Sequence, residues 1–209
     1  MTRILKPRLE CRFNYTSPGV TEALLCELDP LPEYELVRSA AGTLPKQLGE
    51  IVRAHAGDRG KLRIGLVWSG NPKHDNDHNR SIPLQTLLQV LDVKASFVSL
   101  QKDLRAGDAG LLAQSGIVDL TSQLTDFAET AALVSSLDLI ITVDTSVAHL
   151  AAALGRPTWI LLPFVPDYRW LLDREDSPWY PTVRLFRQSA RGDWNGVVQR
   201  LRDELAHRI

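Results

Sequence analysis

Cysteine is almost missing from this chain. Of its 209 residues only Cys11 and Cys26 are cysteines, both near the N-terminus, and neither belongs to a CxxC pair or a Cys/His cluster. That spacing offers no ligand set for structural zinc. No apolar run approaches the ~20 residues of a membrane span, and the first seven residues lack the long apolar centre of a signal peptide. No membrane span is expected, and the cytoplasm is the expected compartment. The dinucleotide fingerprint GxGxxG and the Walker loop GxxxxGK[ST] are both absent, which weakens nicotinamide and ATPase readings. A net charge of −1, with acidic and basic residues interspersed, leaves neither a broad nucleic-acid surface nor a polybasic anchor. No internal repeat or low-complexity tract supports a solenoid. The expected partner is a small molecule.

What is present suffices for one substantial core: the chain is 44% hydrophobic, and its length falls within the range of a single domain. From Lys61 onward short apolar runs alternate with helical patterns. Residues 62–68 read as a first strand, followed by a polar loop and a helix opened by Pro83 and carried by Leu84, Leu87, Leu88 and Leu91. Residues 95–100 read as a second strand, 108–115 as a helix, 117–120 as a short strand, and Asp126 as the cap of a helix carrying Phe127, Ala131, Leu133 and Val134. Residues 137–143 are nearly all apolar and β-branched, the pattern of a central parallel strand covered on both faces. Residues 158–162 make a fifth strand, 183–186 a sixth, and 194–205 a closing amphipathic helix. This alternation predicts an α/β fold, a Rossmann-like, doubly wound and mostly parallel sheet over residues 61–209 with right-handed crossovers. Residues 1–60 are expected to form an irregular extension with one helix near 46–55, because Pro18, Pro30, Pro32 and Pro45 break the other candidate elements.

Such sheets bind ligands at their C-terminal edge, near a topological switch point, which singles out the loops 68–81, 101–105 and 143–149. The last is the most informative. Asp144 and Thr145 are good N-cap residues, and Val147, Leu150, Ala151 and Leu154 follow at i, i+3, i+4 and i+7, the apolar stripe of a short helix ended by Gly155 and Pro157. A strand running into a helix N-terminus offers free backbone N–H groups and the positive end of the helix dipole, both suited to phosphate or diphosphate. Capping for stability alone favours the same residues, so the turn by itself does not choose between the two roles. His149, one helical turn beyond Ser146, shares its helix edge and is placed either to reach the same anion or to pack.

Ser69, Gly70 and Asn71 follow the first strand directly, where a glycine lets the backbone approach a ligand or enter a tight turn. The polar run 73–81 contains two histidines and two aspartates, but adjacent ligands on a flexible loop lack a fixed geometry, and no metal site is expected. Arg80 closes this run at the start of a helix, where its guanidinium can fork onto phosphate oxygens or remain solvated. Gln101 and Lys102 end the second strand, where a doubly wound fold commonly meets the nucleoside part of its ligand. Residues 163–170, with Phe164, Tyr168 and Trp170, read either as an aromatic wall beside the crevice or as a packed loop.

Residues 143–157 resemble the nucleotide-sugar motif of the heptosyltransferase-like glycosyltransferases, written roughly V-D-T-G-x-x-H-x-A-A-A-L-G-x-P. Residues 64–72, 79–84 and 173–181 are further similar to the glycosyltransferase-like C-terminal domains of bacterial tetratricopeptide-repeat proteins. The resemblance spans residues 61–209. It implies the C-terminal half of a GT-B enzyme, in which two Rossmann-like domains face each other and this one holds a nucleoside diphosphate sugar. It further implies that Asp144, Thr145 and Ser146 meet the diphosphate, that His149 sits close by, and that Arg80 neutralises the departing diphosphate. Ser69, Gly70, Asn71, Gln101 and Lys102 would line the same site. No metal or other cofactor is implied. Ser146 stands where the family usually has glycine. The family's N-terminal domain binds the acceptor and supplies the general base, and ~60 broken residues are too few for such an open sheet. A separate acceptor-binding domain or a homodimer mate is therefore an expected partner.

The first functional reading is a glycosyltransferase-type domain that holds a nucleotide sugar, probed by its response to nucleoside diphosphates. The alternative is a non-catalytic interaction module derived from such a domain. A third reading, an enzyme acting on another phosphate ligand such as a sugar-phosphate epimerase, calls for a carboxylate pair at the crevice, for which Asp75, Asp77 and Asp103 are the candidates.

Overall fold

The computed structural model describes Glu50 and residues 61–208. Both cysteines, and all of the expected extension and its helix except Glu50, lie outside the described residues. The described chain runs β1 (Leu62–Val67), α1 (Asp77–Arg80), α2 (Leu84–Leu87) with a 3₁₀ continuation (Leu88–Asp92), β2 (Ala95–Ser99), α3 (Asp108–Ser115) and β3 (Val118–Asp119). It continues with α4 (Phe127–Ser135), β4 (Leu139–Val143), α5 (Ser146–Ala153), β5 (Thr158–Leu162), β6 (Val183–Arg187) and α6 (Trp194–Arg208). The six strands form one sheet in the order β3-β2-β1-β4-β5-β6, and every pairing is parallel. This is the α/β, Rossmann-like arrangement that the alternation of elements predicts.

The reason lies in the strands. Every residue of β4 and β5 is buried, as a central parallel strand requires when helices cover both faces. Alternation along β4 then divides the core. Leu139, Ile141 and Val143 pack with Ile64 and Leu66 against Leu84, Leu87, Val197 and Leu201, while Ile140 packs with Val98, Leu100, Leu133 and Val134 on the other face. Gly65 permits the close approach on that second face, since a Cβ there would meet Leu100 Cδ1 at 2.6 Å. At the opposite end of the strands, Arg63 donates from Nε and Nη2 to the two carboxylate oxygens of Asp138, at 2.9 and 2.8 Å, clasping the start of β1 to the start of β4.

Caps and stops follow the local chemistry. The Asp126 carboxylate accepts from Glu129 N–H at 2.9 Å, and the Glu129 carboxylate accepts from Thr125 N–H at 2.9 Å, so both side chains satisfy backbone donors at the α4 N-terminus. Gly155 ends α5 with φ +68°, the left-handed backbone that glycine adopts without strain. One element departs from expectation. The helix opened by Pro83 makes a single α turn and tightens to 3₁₀, because the buried residues are Leu84, Leu87 and Val90, spaced by three, while Leu88 and Leu91 are only partly buried. Among the described residues no helix is long and apolar enough to cross a membrane.

Ile141 is fully buried at the centre of this sheet. Replacing it with alanine is expected to lower the unfolding free energy by about 2–5 kcal/mol, and with valine by about 0.5–1.5 kcal/mol, read from the urea midpoint at unchanged slope.

Candidate functional site

In this strand order β1 and β4 lie side by side and their connections leave in opposite senses, so a crevice opens at their C-terminal ends. A cleft of about 580 Å³ occupies it. Its polar wall includes Ser69, Gly70, Asn71 and Arg80 from the β1 loop, Gln101 and Lys102 from the β2 loop, and Thr145 and Ser146 from the β4 turn. Eight of the ten residues singled out in the sequence thus meet at one place. Val67, Leu100, Leu124 and Phe127 supply an apolar side to the same cleft.

The β4 turn is an uncapped helix start. Thr145 is the N-cap residue, in extended backbone, yet its side chain makes no capping hydrogen bond, and its Oγ1 lies 3.2 Å from Thr142 Oγ1 instead. The N–H groups of Ser146 and Val147 at the start of this eight-residue helix therefore keep no intrahelical acceptor. Ser146 carries no backbone strain, because among the described residues the non-glycine residues with positive φ are Leu171 and Asp173.

Arg80 lines the same cleft. Its guanidinium lies against Gly70, where a Cβ would come within 2.5 Å of Nη2 and 2.8 Å of Cζ, so this glycine makes the room the arginine occupies. Arg80 Nη1 donates to the Asp144 carbonyl at 3.0 Å, and Nε lies 3.5 Å from Asp77 Oδ1. These contacts fix the direction of a side chain that would otherwise sample many rotamers.

Asp77, in the run expected to be a polar loop, is the anchor of that arrangement. The run 73–81 is not a loop throughout. It winds into α1, a single turn that puts Asp77 and Ser81 on the same side at i and i+4. The buried Asp77 carboxylate accepts from Ser81 Oγ at 2.9 Å and from Arg105 Nη2, which also donates to the Gly70 carbonyl at 3.2 Å. Burial pushes this carboxyl up, but the hydrogen bonds from Arg105 and Ser81 and the charges of Arg105 and Arg80 outweigh it and hold it below the usual carboxylate range. Committed to two arginines, Asp77 is no member of a free carboxylate pair, which removes it from the epimerase reading. The spacing Asp77, Arg80, Ser81 was the one local signal of the turn; nothing local marks Arg105, which lies 28 residues away.

Gln101 has a different role from the one its position suggests. Its Oε1 accepts from the N–H groups of Trp68 and Ser69, at 3.1 and 2.9 Å, and its Nε2 donates to the carbonyls of Ser69 and Asp103, at 3.1 and 3.0 Å. All four hydrogen bonds of the amide are spent on backbone. It holds the β1 and β2 loops together and has nothing left for a base. Lys102, by contrast, is exposed at the cleft. Asn71 shapes its own turn, accepting from Lys73 N–H at 2.9 Å through its side chain and from His74 N–H at 3.0 Å through its carbonyl. Ser69 Oγ is buried with no hydrogen-bond partner among the described residues.

Asp144 and His149 do not line the cleft with the others. The His149 ring stacks on fully buried Trp170, with centroids 5.1 Å apart and planes at 19°, and Nδ1 lies 3.2 Å from the Tyr180 hydroxyl. Asp144 does not cap α5; its carboxylate is buried, 3.9 Å from His149 Nε2. Burial depresses the His149 pKa, and the Asp144 charge offsets this only in part. The physical reason is a second apolar edge of α5: Ala151 and Leu154 of the expected stripe pack toward Leu133 and Val134, while Ala148 and Ala152 pack on Ile160 and Leu162, and the ring beside them follows onto Trp170. The loop 163–170 is therefore split, with Trp170 packed beneath His149 and Phe164 and Tyr168 exposed. Among the described residues no group of three or more His, Cys, Asp or Glu is placed to hold a metal ion.

Comparison with known proteins gives a family match over part of the chain and a shared fold. Residues 102–161, from the end of β2 to β5, match the family Glycosyltransferase family 9 (heptosyltransferase). The fold is shared with the ADP-heptose lps heptosyltransferase II of E. coli, at a TM-score of 0.50 and 18% identity over 79% of this chain and 53% of that one. It is shared also with the glycosyl transferase family 9 from Veillonella parvula DSM 2008, at a TM-score of 0.52 and 13% identity over 87% of this chain and 54% of that one. Protein FlbA of Caulobacter vibrioides is 34% identical over 148 residues, 66% of this chain and 24% of FlbA. The chain thus spans about half the length of the two glycosyltransferase structures and about a quarter of FlbA.

The His149 environment has a consequence for pH dependence. A histidine whose folded pKa lies below its unfolded value of about 6.5 binds its proton more readily in the unfolded chain. Stability is expected to rise with pH from mild acid up to about 6.5 and to level off above it. Melting temperatures measured across that window should show a shallower rise in His149→Gln than in the parent chain.

Proposed function

We propose that the cleft binds the diphosphate of a nucleoside diphosphate sugar and that the chain is the donor-binding half of a glycosyltransferase. The observation that carries this reading is that the uncapped N-terminus of α5 and the held guanidinium of Arg80 line one cleft. Free N–H groups at a helix start and a forked cation are the two donors a diphosphate takes best. The buried Ser69 hydroxyl adds a third donor at the same wall. The apolar side formed by Leu100, Leu124 and Phe127 suits the face of a base. In glycosyl transfer negative charge grows on the leaving diphosphate. Donors already held in place, here through Asp77, Gly70 and the Asp144 carbonyl, stabilise that charge without reorganising.

His149 belongs to this reading as a neutral group that braces α5 from the far side, together with Asp144. The acceptor and the general base would come from another domain or from a second copy of the chain. The similarity of residues 64–72 and 79–84 to the glycosyltransferase-like ends of bacterial tetratricopeptide-repeat proteins, and a cytoplasmic location, are parts of the same proposal.

Calorimetric titration with UDP, ADP and GDP and their sugar conjugates tests it. One nucleotide family is expected to bind, and Arg80→Ala is expected to weaken that binding at least about tenfold, about 1.4 kcal/mol, at an unchanged fold. Gly70→Ala should also fold, since the clash it introduces falls on the end of a flexible side chain, and should weaken binding by pushing the guanidinium off its seat. Absence of binding by every nucleotide, in a chain that melts cooperatively, would support the interaction-module reading instead.

A further inference from the structure

On the other side of the α1 turn, between the loops that follow β1, β5 and β6, lies a second pocket of about 460 Å³. Gln188, the first residue after β6, lines it and is only 6% exposed. Its Oε1 accepts from Phe164 N–H at 3.1 Å and from Gly192 N–H at 3.0 Å. Because both partners are donors, the amide has one orientation: the oxygen faces them and the NH₂ faces away. That Nε2 is buried and has no hydrogen-bond partner among the described residues. A buried donor without an acceptor is costly enough that native structures rarely leave one without a purpose.

The rest of the wall says what kind of acceptor is missing. His78 and Arg191 line the pocket as further N–H donors, the Asn79 amide is engaged by Asn76 Oδ1 at 2.6 Å, and Phe164 lends an exposed ring, 47% exposed. No carboxylate lines it, and Arg191 carries its one permanent formal charge. Donors and a guanidinium without a competing anion select a ligand group that only accepts and that bears negative charge.

We propose that this pocket binds an oxyanion, a carboxylate or a phosphate group carried on a small polar molecule, with Gln188 Nε2 donating from within and the exposed Arg191 guanidinium closing on it. The site stands apart from the cleft and does not rest on the glycosyltransferase reading. The two sites share only the α1 turn, which sends Arg80 to one side and His78 and Asn79 to the other.

Amide NMR titration of the full chain with D-glucuronate, D-glucose 6-phosphate and, as neutral control, D-glucose tests the proposal. The Phe164 and Gly192 N–H resonances are expected to shift saturably with at least one of the two anions and not with glucose, and the responding anion identifies the source of the oxyanion. Gln188→Glu keeps an acceptor for both N–H groups but puts a negative charge where the free donors were. It is expected to weaken binding at least tenfold. Arg191→Ala, at an exposed position, is expected to do the same with no change in melting temperature. The absence of a saturable shift with either anion overturns the proposal, as does undiminished affinity in either variant. The Gly70 and Ser146 resonances report the cleft separately, so a failure at one site is read independently of the other.

Discussion

The parallel pairing of β1 with β4 is the contact on which the molecule depends. It joins segments 75 residues apart, sets Ile64 beside Leu139 and Val67 beside Thr142, and is clasped at its base by Arg63 and Asp138. Because the strands after β1 extend the sheet to one side and those after β4 to the other, the chain cannot close over their common end. A crevice results without any residue having been selected to dig it. The hydrogen bond from Arg80 to the Asp144 carbonyl spans this end, tying the loop of one strand to the loop of the other.

Around that span the polar groups fall into two kinds. Buried Gln101 and Asp77, with half-buried Arg105, spend hydrogen bonds on other parts of the protein, which ties the loops together. The α5 N-terminus has no side-chain cap and the buried Ser69 hydroxyl has no hydrogen-bond partner among the described residues, and Ser69, Arg80, Thr145 and Ser146 all line the cleft. Rigid support beneath unsatisfied donors is what electrostatic preorganisation requires, since donors that need not move cost nothing to align as charge develops. Support and display are both needed: without Asp77 and Gly70 the guanidinium would be an ordinary mobile surface charge.

Much of this was legible in the sequence, for identifiable reasons. The β-branched run of β4, the Asp126 cap and the glycine after α5 act through neighbours in the chain, and their chemistry is local. The cleft residues were found because polar breaks directly after apolar strands must fall at the C-terminal edge. What escaped was whatever depended on partners far away. Arg105 reaches Asp77 across 28 residues, and Trp68 donates to Asp108 across 40. Gln101 follows β2 at the sheet edge, but that its amide is saturated follows from where the neighbouring loops run. His149 shares a helix edge with Ser146 by spacing, yet its ring belongs to Trp170 and Tyr180, residues brought up by the loop after β5.

By itself, then, the sequence determined the strands, the Asp126 cap, the class of fold and the edge at which the polar loops gather, because hydrophobic period and turn chemistry are properties of consecutive residues. Only the tertiary structure decided which of the gathered polar groups remain free. A donor is available or spent according to the atom opposite it, and in a parallel sheet that atom arrives from a distant part of the chain.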